Sequence, residues 1–170
     1  MSSHPLVTQL RFARSRFVAC LEKAPPGDAQ RRLNSMNCLS WTIGHLANQE
    51  HRYWMQAAQG KTLLPHLNEL VGYGKPASTP ELDEMWSAWH TVTEAADKYL
   101  DTVTSEILES HFLEDENQYP ESIGTMLLRN IYHYWYHTGE ARSIRELLGH
   151  TELQEYVGNM SLAVYRREGV

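Results

Sequence analysis

Two histidines four residues apart, His133 and His137, are the residues whose type and spacing most directly suggest chemistry in this chain. They lie in residues 127–149, LLRNIYHYWYHTGEARSIRELLG, which predict a long helix. In a helix this spacing places both imidazoles on one face. That face is mostly apolar and continues through Met126, Asn130, Glu140 or Ala141, Ile144 and Leu148. We therefore expect both rings to point inward, where they need hydrogen-bond partners or a metal ion.

A third inward histidine, His45, is predicted on another helix. It follows Gly44, whose missing side chain permits a neighbouring backbone to approach closely. Three neutral imidazoles from two helices can hold a divalent cation and leave coordination positions open for water or substrate. Zinc, nickel and iron all accept imidazole, so the identity of the metal stays open. The alternative is a structural dimer in which the three histidines only hydrogen-bond each other.

Two familiar metal motifs do not fit these residues. The zinc-peptidase motif HExxH needs Glu after the first His, and Tyr134 stands there. A ferritin-like di-iron bundle needs Glu-x-x-His on two helices, and no Glu of this chain is followed three residues later by His. Glu140 is the candidate catalytic residue, as a general base. It is also placed to orient an imidazole or a bound water, or to pair with arginines of residues 142–145.

A cation bound by three histidines would make hydroxide or thiolate available near neutral pH, for attack on an electrophilic substrate. The aromatic side chains that could hold this substrate are Tyr132, Tyr136, Trp41 and Trp135. Arg52 or Arg129 could steady an anionic group. Cys38 precedes a predicted helix, where a thiol pKa is depressed. No His or Asp partner is evident for Cys38, so we interpret it as a buried structural thiol.

The composition excludes several classes of protein. The chain has 170 residues, 15 basic and 21 acidic, and its net charge of −6 argues against binding to nucleic acid backbones. No apolar run approaches the length that spans a membrane, and no signal-like run opens the chain. Two cysteines are too few for a disulfide framework, so we expect a cytoplasmic protein.

Helical periodicity predicts an all-α four-helix bundle over a single domain of residues 1–170. The predicted helices cover residues 5–23, 41–59, about 81–101 and 121–149. Arg14 is assigned to the wet side of the first helix. Ser40 is the predicted cap of the second helix, or Asn37 if that helix starts one turn earlier. Ser78-Thr79-Pro80-Glu81 is assigned to the start of the third. Two long connections and a C-terminal tail, residues 151–170, complete the chain. An aromatic-rich bundle of this kind is expected to form a homodimer.

Two segments, LSWTIGHLANQEHRYW and HYWYHTGEARSIRELLGH, together resemble the DinB-like (YfiT-type) superfamily of metal-dependent four-helix-bundle proteins. The resemblance covers nearly the whole chain in order, and it implies a metal-binding triad at His45, His133 and His137. Many relatives have Gln where this chain has Glu140.

The superfamily includes transferases and isomerases that use low-molecular-weight thiols. The resemblance therefore implies a metal-dependent enzyme that activates water or such a thiol, for hydrolysis or thiol transfer, on an unknown small-molecule substrate. The alternative is a non-catalytic, stress-linked bundle that binds a metal or a small ligand.

Overall fold

The computed structural model describes residues 3–114, 117–155 and 157–165. The helices are α1 (Pro5–Leu21), α2 (Pro26–Ala29), α3 (Leu39–Glu50), α4 (Leu67–Val71), α5 (Leu82–Leu100), α6 (Ser105–Glu109) and α7 (Ile123–Leu147). The helix of α3 continues directly as a π-helix over His51–Ala57. A two-residue hairpin pairs β1 (Leu113–Glu114) antiparallel with β2 (Asn117–Gln118), and a 3-10 turn covers Met160–Leu162.

The four long helices form the predicted all-α bundle. Helix α7 packs against α1 and α3, and α3 packs against α5. The buried core fills the space between them because apolar residues recur at helical spacing in each. Its largest fully buried side chains include Trp54, Tyr134, Phe17, Leu10, Leu21 and Leu39. None of the helices among the described residues is long and apolar enough to cross a membrane.

Arg14 is buried in this core, so its assignment to the wet side of α1 is wrong. Its side chain pairs with the fully buried carboxylate of Glu50 on α3. A buried cation and anion that satisfy each other can occupy positions that composition alone assigns to the surface.

The third long helix begins later than its sequence signal predicts. The residue before α5 is Glu81, which makes no side-chain capping bond. The Ser78 hydroxyl, the predicted cap, instead donates to the carbonyl of Leu70 at 2.7 Å. That bond ties the start of α5 to the end of α4, so tertiary contact replaces the local cap.

The second long helix also departs from its predicted limits. It starts at Leu39, directly after Cys38, and not at the predicted Ser40 cap. Residues His51–Ala57 wind as a π-helix, a form that the hydrophobic period does not signal. Gly60, at φ +63°, then ends it as predicted, since glycine adopts this left-handed backbone without a Cβ penalty.

The described part of the tail packs against α1. Ala163 is buried, and its carbonyl accepts a hydrogen bond from Gln9 Nε2 at 3.2 Å. Tyr156 and residues 166–170, which belong to the predicted tail, lie outside the described residues.

Candidate metal centre

The three predicted histidines meet at one place in the bundle. His45 comes from α3, and His133 and His137 come from α7. One ligand nitrogen from each lies within 4.8 Å of the other two. The Nε2 atoms of His133 and His137 are 2.9 Å apart. Zn–N bonds of about 2.0–2.1 Å place neighbouring nitrogen ligands roughly 3 to 3.5 Å apart, so this donor set fits a small divalent cation.

Each imidazole is held by an oxygen at its other nitrogen, Nδ1. The acceptors are the Val71 carbonyl for His45, at 2.8 Å, and Gln49 Oε1 for His133, at 2.8 Å. For His137 the acceptor is Glu140 Oε2, at 2.7 Å. An oxygen acceptor requires the proton on Nδ1, which leaves the Nε2 lone pair free to face the centre. All three rings are therefore fixed in the tautomer that metal coordination uses.

A chain of hydrogen bonds from the core determines the tautomer of His133. Trp54 Nε1, which can only donate, bonds Asn130 Oδ1 at 2.9 Å. The Asn130 amide nitrogen must then face Gln49, whose Oε1 it bonds at 2.8 Å. Gln49 therefore presents an oxygen to His133. The polarity of this ring is set by an indole in the hydrophobic core.

The approach of α4 and α5 to Gly44 positions His45. A Cβ atom at residue 44 would collide with Met85 Sδ and would lie 3.2 Å from a Val71 methyl. The close neighbours are therefore side chains, and not the backbone that the sequence suggested. On its other side the ring of His45 stacks on Trp41, with centroids 4.4 Å apart and planes at 14°. The ring is held at one face by the indole and at its Nδ1 edge by the Val71 carbonyl.

Burial keeps two of the three rings uncharged. It lowers the pKa of His133 to about 3, with a further contribution from the neighbouring His137 and His45. Burial also lowers the pKa of His45. A metal ion competes with protons for imidazole lone pairs, so rings that resist protonation favour coordination at neutral pH.

A cleft of about 810 Å³ opens beside the histidines. It is lined by His45, Asn48, Gln49, Arg52, Tyr53, Tyr73, Thr125, Leu128, Arg129, Tyr132, His133 and Tyr136. This volume lies within the range of small-molecule sites, about 300–1,000 Å³.

Two of the four aromatic residues assigned to substrate binding line this cleft. Tyr132 and Tyr136 are 64% and 67% exposed and stand at its mouth. Trp135 instead packs against Phe12, with ring centroids 6.0 Å apart. Trp41 supports His45 and is not among the lining residues. The two tryptophans therefore shape the bundle and the histidine ring, and the two tyrosines face the cleft.

Glu140 contacts a histidine and not the arginines that follow it. Its carboxylate bonds His137, whereas Arg142 pairs with Glu146, and Arg145 donates to His150. A carboxylate behind an imidazole raises its basicity and fixes its orientation. A catalytic role for Glu140 stays a prediction.

Cys38 lies apart from this site. It is fully buried, with Sγ 3.3 Å from the Ser40 hydroxyl, and it does not line the cleft. This placement agrees with its interpretation as a structural thiol.

Sequence reasoning missed the oxygen acceptors other than Glu140. Gln49 could have been found, because it follows His45 by one turn on the same helix face. The Val71 carbonyl could not, since a backbone acceptor carries no side-chain signal.

The family model described as Mycothiol-S-transferase matches residues 5–149. The match covers most of the 170 residues, so the chain belongs to the mycothiol-S-transferase family. This family is part of the DinB/YfiT-like metal-dependent superfamily, which confirms the resemblance. No curated protein matches the chain.

Proposed function

We propose that this protein is a metal-dependent thiol S-transferase that uses a low-molecular-weight thiol such as mycothiol. His45, His133 and His137 would hold a divalent transition metal. The observation that carries this proposal is the convergence of three Nε2 lone pairs from rings whose Nδ1 protons are all engaged by oxygens. The family membership supports thiol transfer as the reaction.

The bound cation would lower the pKa of a thiol in the cleft and so supply a thiolate near neutral pH. In the overall reaction a bond forms between the thiol sulfur and an electrophilic carbon. The bond from that carbon to its leaving group breaks, and the leaving group departs with the electron pair. The thiol proton passes to solvent.

The residues of the chain hold and orient the reacting groups. Val71, Gln49 and Glu140 keep each Nδ1 protonated, so no imidazole turns away from the centre. We assign Glu140 to this positioning role because its carboxylate already accepts the His137 proton. Tyr132 and Tyr136 offer aromatic surface at the mouth of the cleft for the substrate.

The test measures metal content and turnover in the same preparations. Protein purified without a chelating column is loaded with zinc, nickel or iron and mixed with mycothiol and a fluorogenic alkyl halide. We expect an S-conjugate in mass spectrometry that wild type forms and His133→Ala does not. His66→Ala, which changes an exposed histidine outside the cleft, is the matched control.

Binding of metal and thiol without conjugate formation would favour the non-catalytic alternative. Conjugate formation by His133→Ala at the wild-type rate would contradict the proposed site.

Two further properties are part of the proposal. A cytoplasmic location suits an enzyme that consumes a reduced thiol and carries two free cysteines. A homodimer is proposed from the aromatic-rich bundle, and light scattering at several protein concentrations tests it.

A further inference from the structure

The cleft beside the histidines has an unusual charge for this protein. The chain carries 21 acidic residues and a net charge of −6, yet none of the twelve lining residues found in the described part of the chain is acidic. Two of them, Arg52 and Arg129, are cations. The cleft therefore favours neutral or anionic molecules over cations.

The two arginines differ in their partners. Arg129 Nε donates to Glu121 Oε2 at 2.9 Å, and a second guanidinium nitrogen bonds the other carboxylate oxygen. That charge is already compensated. Arg52 is exposed and forms no ion pair with any carboxylate of residues 3–114, 117–155 and 157–165. A free guanidinium fork suits the planar geometry of a carboxylate.

Arg52 stands at a defined distance from the histidines. It follows His45 by seven residues, and both side chains line the cleft. The separation along the helix axis is about 10 Å. An anionic group at Arg52 would therefore belong to a molecule whose reacting atom lies several bonds from its charge.

Asn48 provides a second and independent sign of a ligand. It lines the cleft one turn before Arg52, and it is 3% exposed. Its Nδ2 donates to Asn68 Oδ1 at 3.0 Å, but its buried Oδ1 accepts no hydrogen bond from the described residues. Buried acceptors without donors are rare. A rotation of the Asn48 amide toward the cleft would let an N–H or O–H group of a bound molecule complete this one.

We propose that Arg52 and Asn48 form an anion-selective subsite, which binds a carboxylate-bearing molecule through Arg52 and a hydrogen-bond donor of that molecule through Asn48. The inference rests on the proposed function for its role, because the bound molecule is then one of the two substrates of thiol transfer. Either the thiol or the electrophile carries the carboxylate.

Equilibrium binding tests the subsite without requiring turnover. The probes are 4-(hydroxymethyl)benzoate and its uncharged counterpart 4-(hydroxymethyl)-N,N-dimethylbenzamide, titrated calorimetrically into wild type, Arg52→Gln and Lys61→Gln. Both probes carry one hydroxyl donor for Asn48, and the amide has no N–H group, so they differ in the carboxylate charge. Lys61 is exposed and outside the cleft, so its substitution matches the change in net charge.

We expect wild type and Lys61→Gln to bind the carboxylate about five- to tenfold more tightly than the amide, a preference that salt weakens. Arg52→Gln should bind both probes equally. Equal affinities in wild type, a preference that survives in Arg52→Gln, or no binding of the carboxylate would overturn the proposal.

Turnover distinguishes the two sources of the charge. One arm compares 4-(bromomethyl)benzoate with 4-(bromomethyl)benzamide, using an uncharged thiol. The other compares N-acetylcysteine with N-acetylcysteinamide, using an uncharged bromide. In the arm that contains the anionic substrate, we expect the carboxylate compound to have a higher kcat/KM than its amide in wild type, and Arg52→Gln to remove this difference. If the enzyme is active in both arms and shows no such difference in either, the molecule bound at the subsite is not a substrate, and that assignment is overturned.

Absence of conjugate in every arm, with Arg52-dependent binding intact, would reject thiol transfer and retain the subsite.

Discussion

Neighbouring residues of α3 and α7 build two polar clusters with different properties. Gln49 and His133 belong to the candidate metal centre, and the next residues, Glu50 and Tyr134, belong to a network in the core. Both clusters join the same pair of helices. They differ in whether every polar atom finds a hydrogen-bond or ion-pair partner within the protein.

The core network is closed. The Arg14 guanidinium bonds both oxygens of Glu50, and the Tyr134 hydroxyl donates to Glu50 Oε1 at 2.6 Å. Trp89 Nε1 donates to Tyr134 Oη at 2.8 Å, and Arg14 also reaches Asp97 at 2.7 Å. These residues lie on α1, α3, α5 and α7, so the network ties all four long helices together.

The pKa shifts in this network follow from burial and from the Glu50 charge. Burial alone would lower the pKa of Arg14, but the adjacent Glu50 carboxylate more than offsets it, and the pKa is raised. Burial, together with Glu50, raises the pKa of Tyr134 well above its ordinary value. Arg14 therefore stays charged and Tyr134 stays a donor.

The histidine cluster is open. Its Nδ1 protons are all satisfied by oxygens, and in neutral rings this leaves the Nε2 lone pairs facing each other. Lone pairs arranged in this way repel each other and are stabilised by a cation. The closed cluster therefore fixes the register of α3 against α7, and this register presents the open cluster as a binding site.

Removing a histidine should have the largest effect on the open cluster. We expect His137→Ala to weaken metal affinity by more than about a hundredfold, beyond the roughly 10- to 100-fold that outer residues contribute. Competition with a chromophoric chelator measures this, and His66→Ala should retain wild-type affinity. Unchanged affinity in His137→Ala would mean that the metal binds elsewhere.

Breaking the closed cluster should act on stability. Glu50→Ala leaves the buried Arg14 charge with only the partly exposed Asp97 as a partner, and it leaves the Tyr134 hydroxyl without its acceptor. We expect a loss of about 3–5 kcal/mol in the free energy of unfolding. Urea denaturation measures it. The double variant Arg14→Met/Glu50→Leu should recover most of the loss, because no charge is left in the core.

If Glu50→Ala lowers the free energy of unfolding by less than about 1 kcal/mol, the pair of Arg14 with Glu50 contributes no more than a surface ion pair. That result would contradict the closed network.

Substitutions at Glu140 distinguish a positioning role of this residue from a catalytic one. We expect Glu140→Ala to lower metal affinity about 10- to 100-fold, because His137 loses its acceptor. Glu140→Gln should restore most of it, since an amide oxygen still accepts the Nδ1 proton. A general base would behave differently, and Glu140→Gln would then abolish turnover while metal affinity stayed intact. Chelator competition and kcat measured on the same preparations distinguish the two.

The ion pair of Arg129 with Glu121 lies at the surface, outside both clusters. Their side chains are 55% and 30% exposed, so solvent screens the interaction. We expect Glu121→Gln to change the free energy of unfolding by less than about 1 kcal/mol and to leave metal affinity unchanged. A change of metal affinity above threefold would show that this pair acts on the histidines.

The sequence predicted the open cluster better than the closed one. His133 and His137 could be placed on one face from their spacing, and His45 could be added from the order of motifs along the chain. Arg14 was assigned to solvent, because an arginine between apolar residues gives no sign that a glutamate on another helix will meet it. The π-helix over His51–Ala57 is likewise not predicted, since its buried residues, His51, Trp54 and Met55, recur at the three- and four-residue spacing typical of an α-helix.

The central claim is that an imidazole from α3 completes a metal site with two imidazoles from α7. The most direct measurement is the metal stoichiometry of wild type and His45→Ala, each purified without a chelating column and dialysed against limiting zinc. We predict one equivalent per chain for wild type and a loss of tightly bound metal for His45→Ala. Equal stoichiometry and affinity in the two proteins would contradict the account.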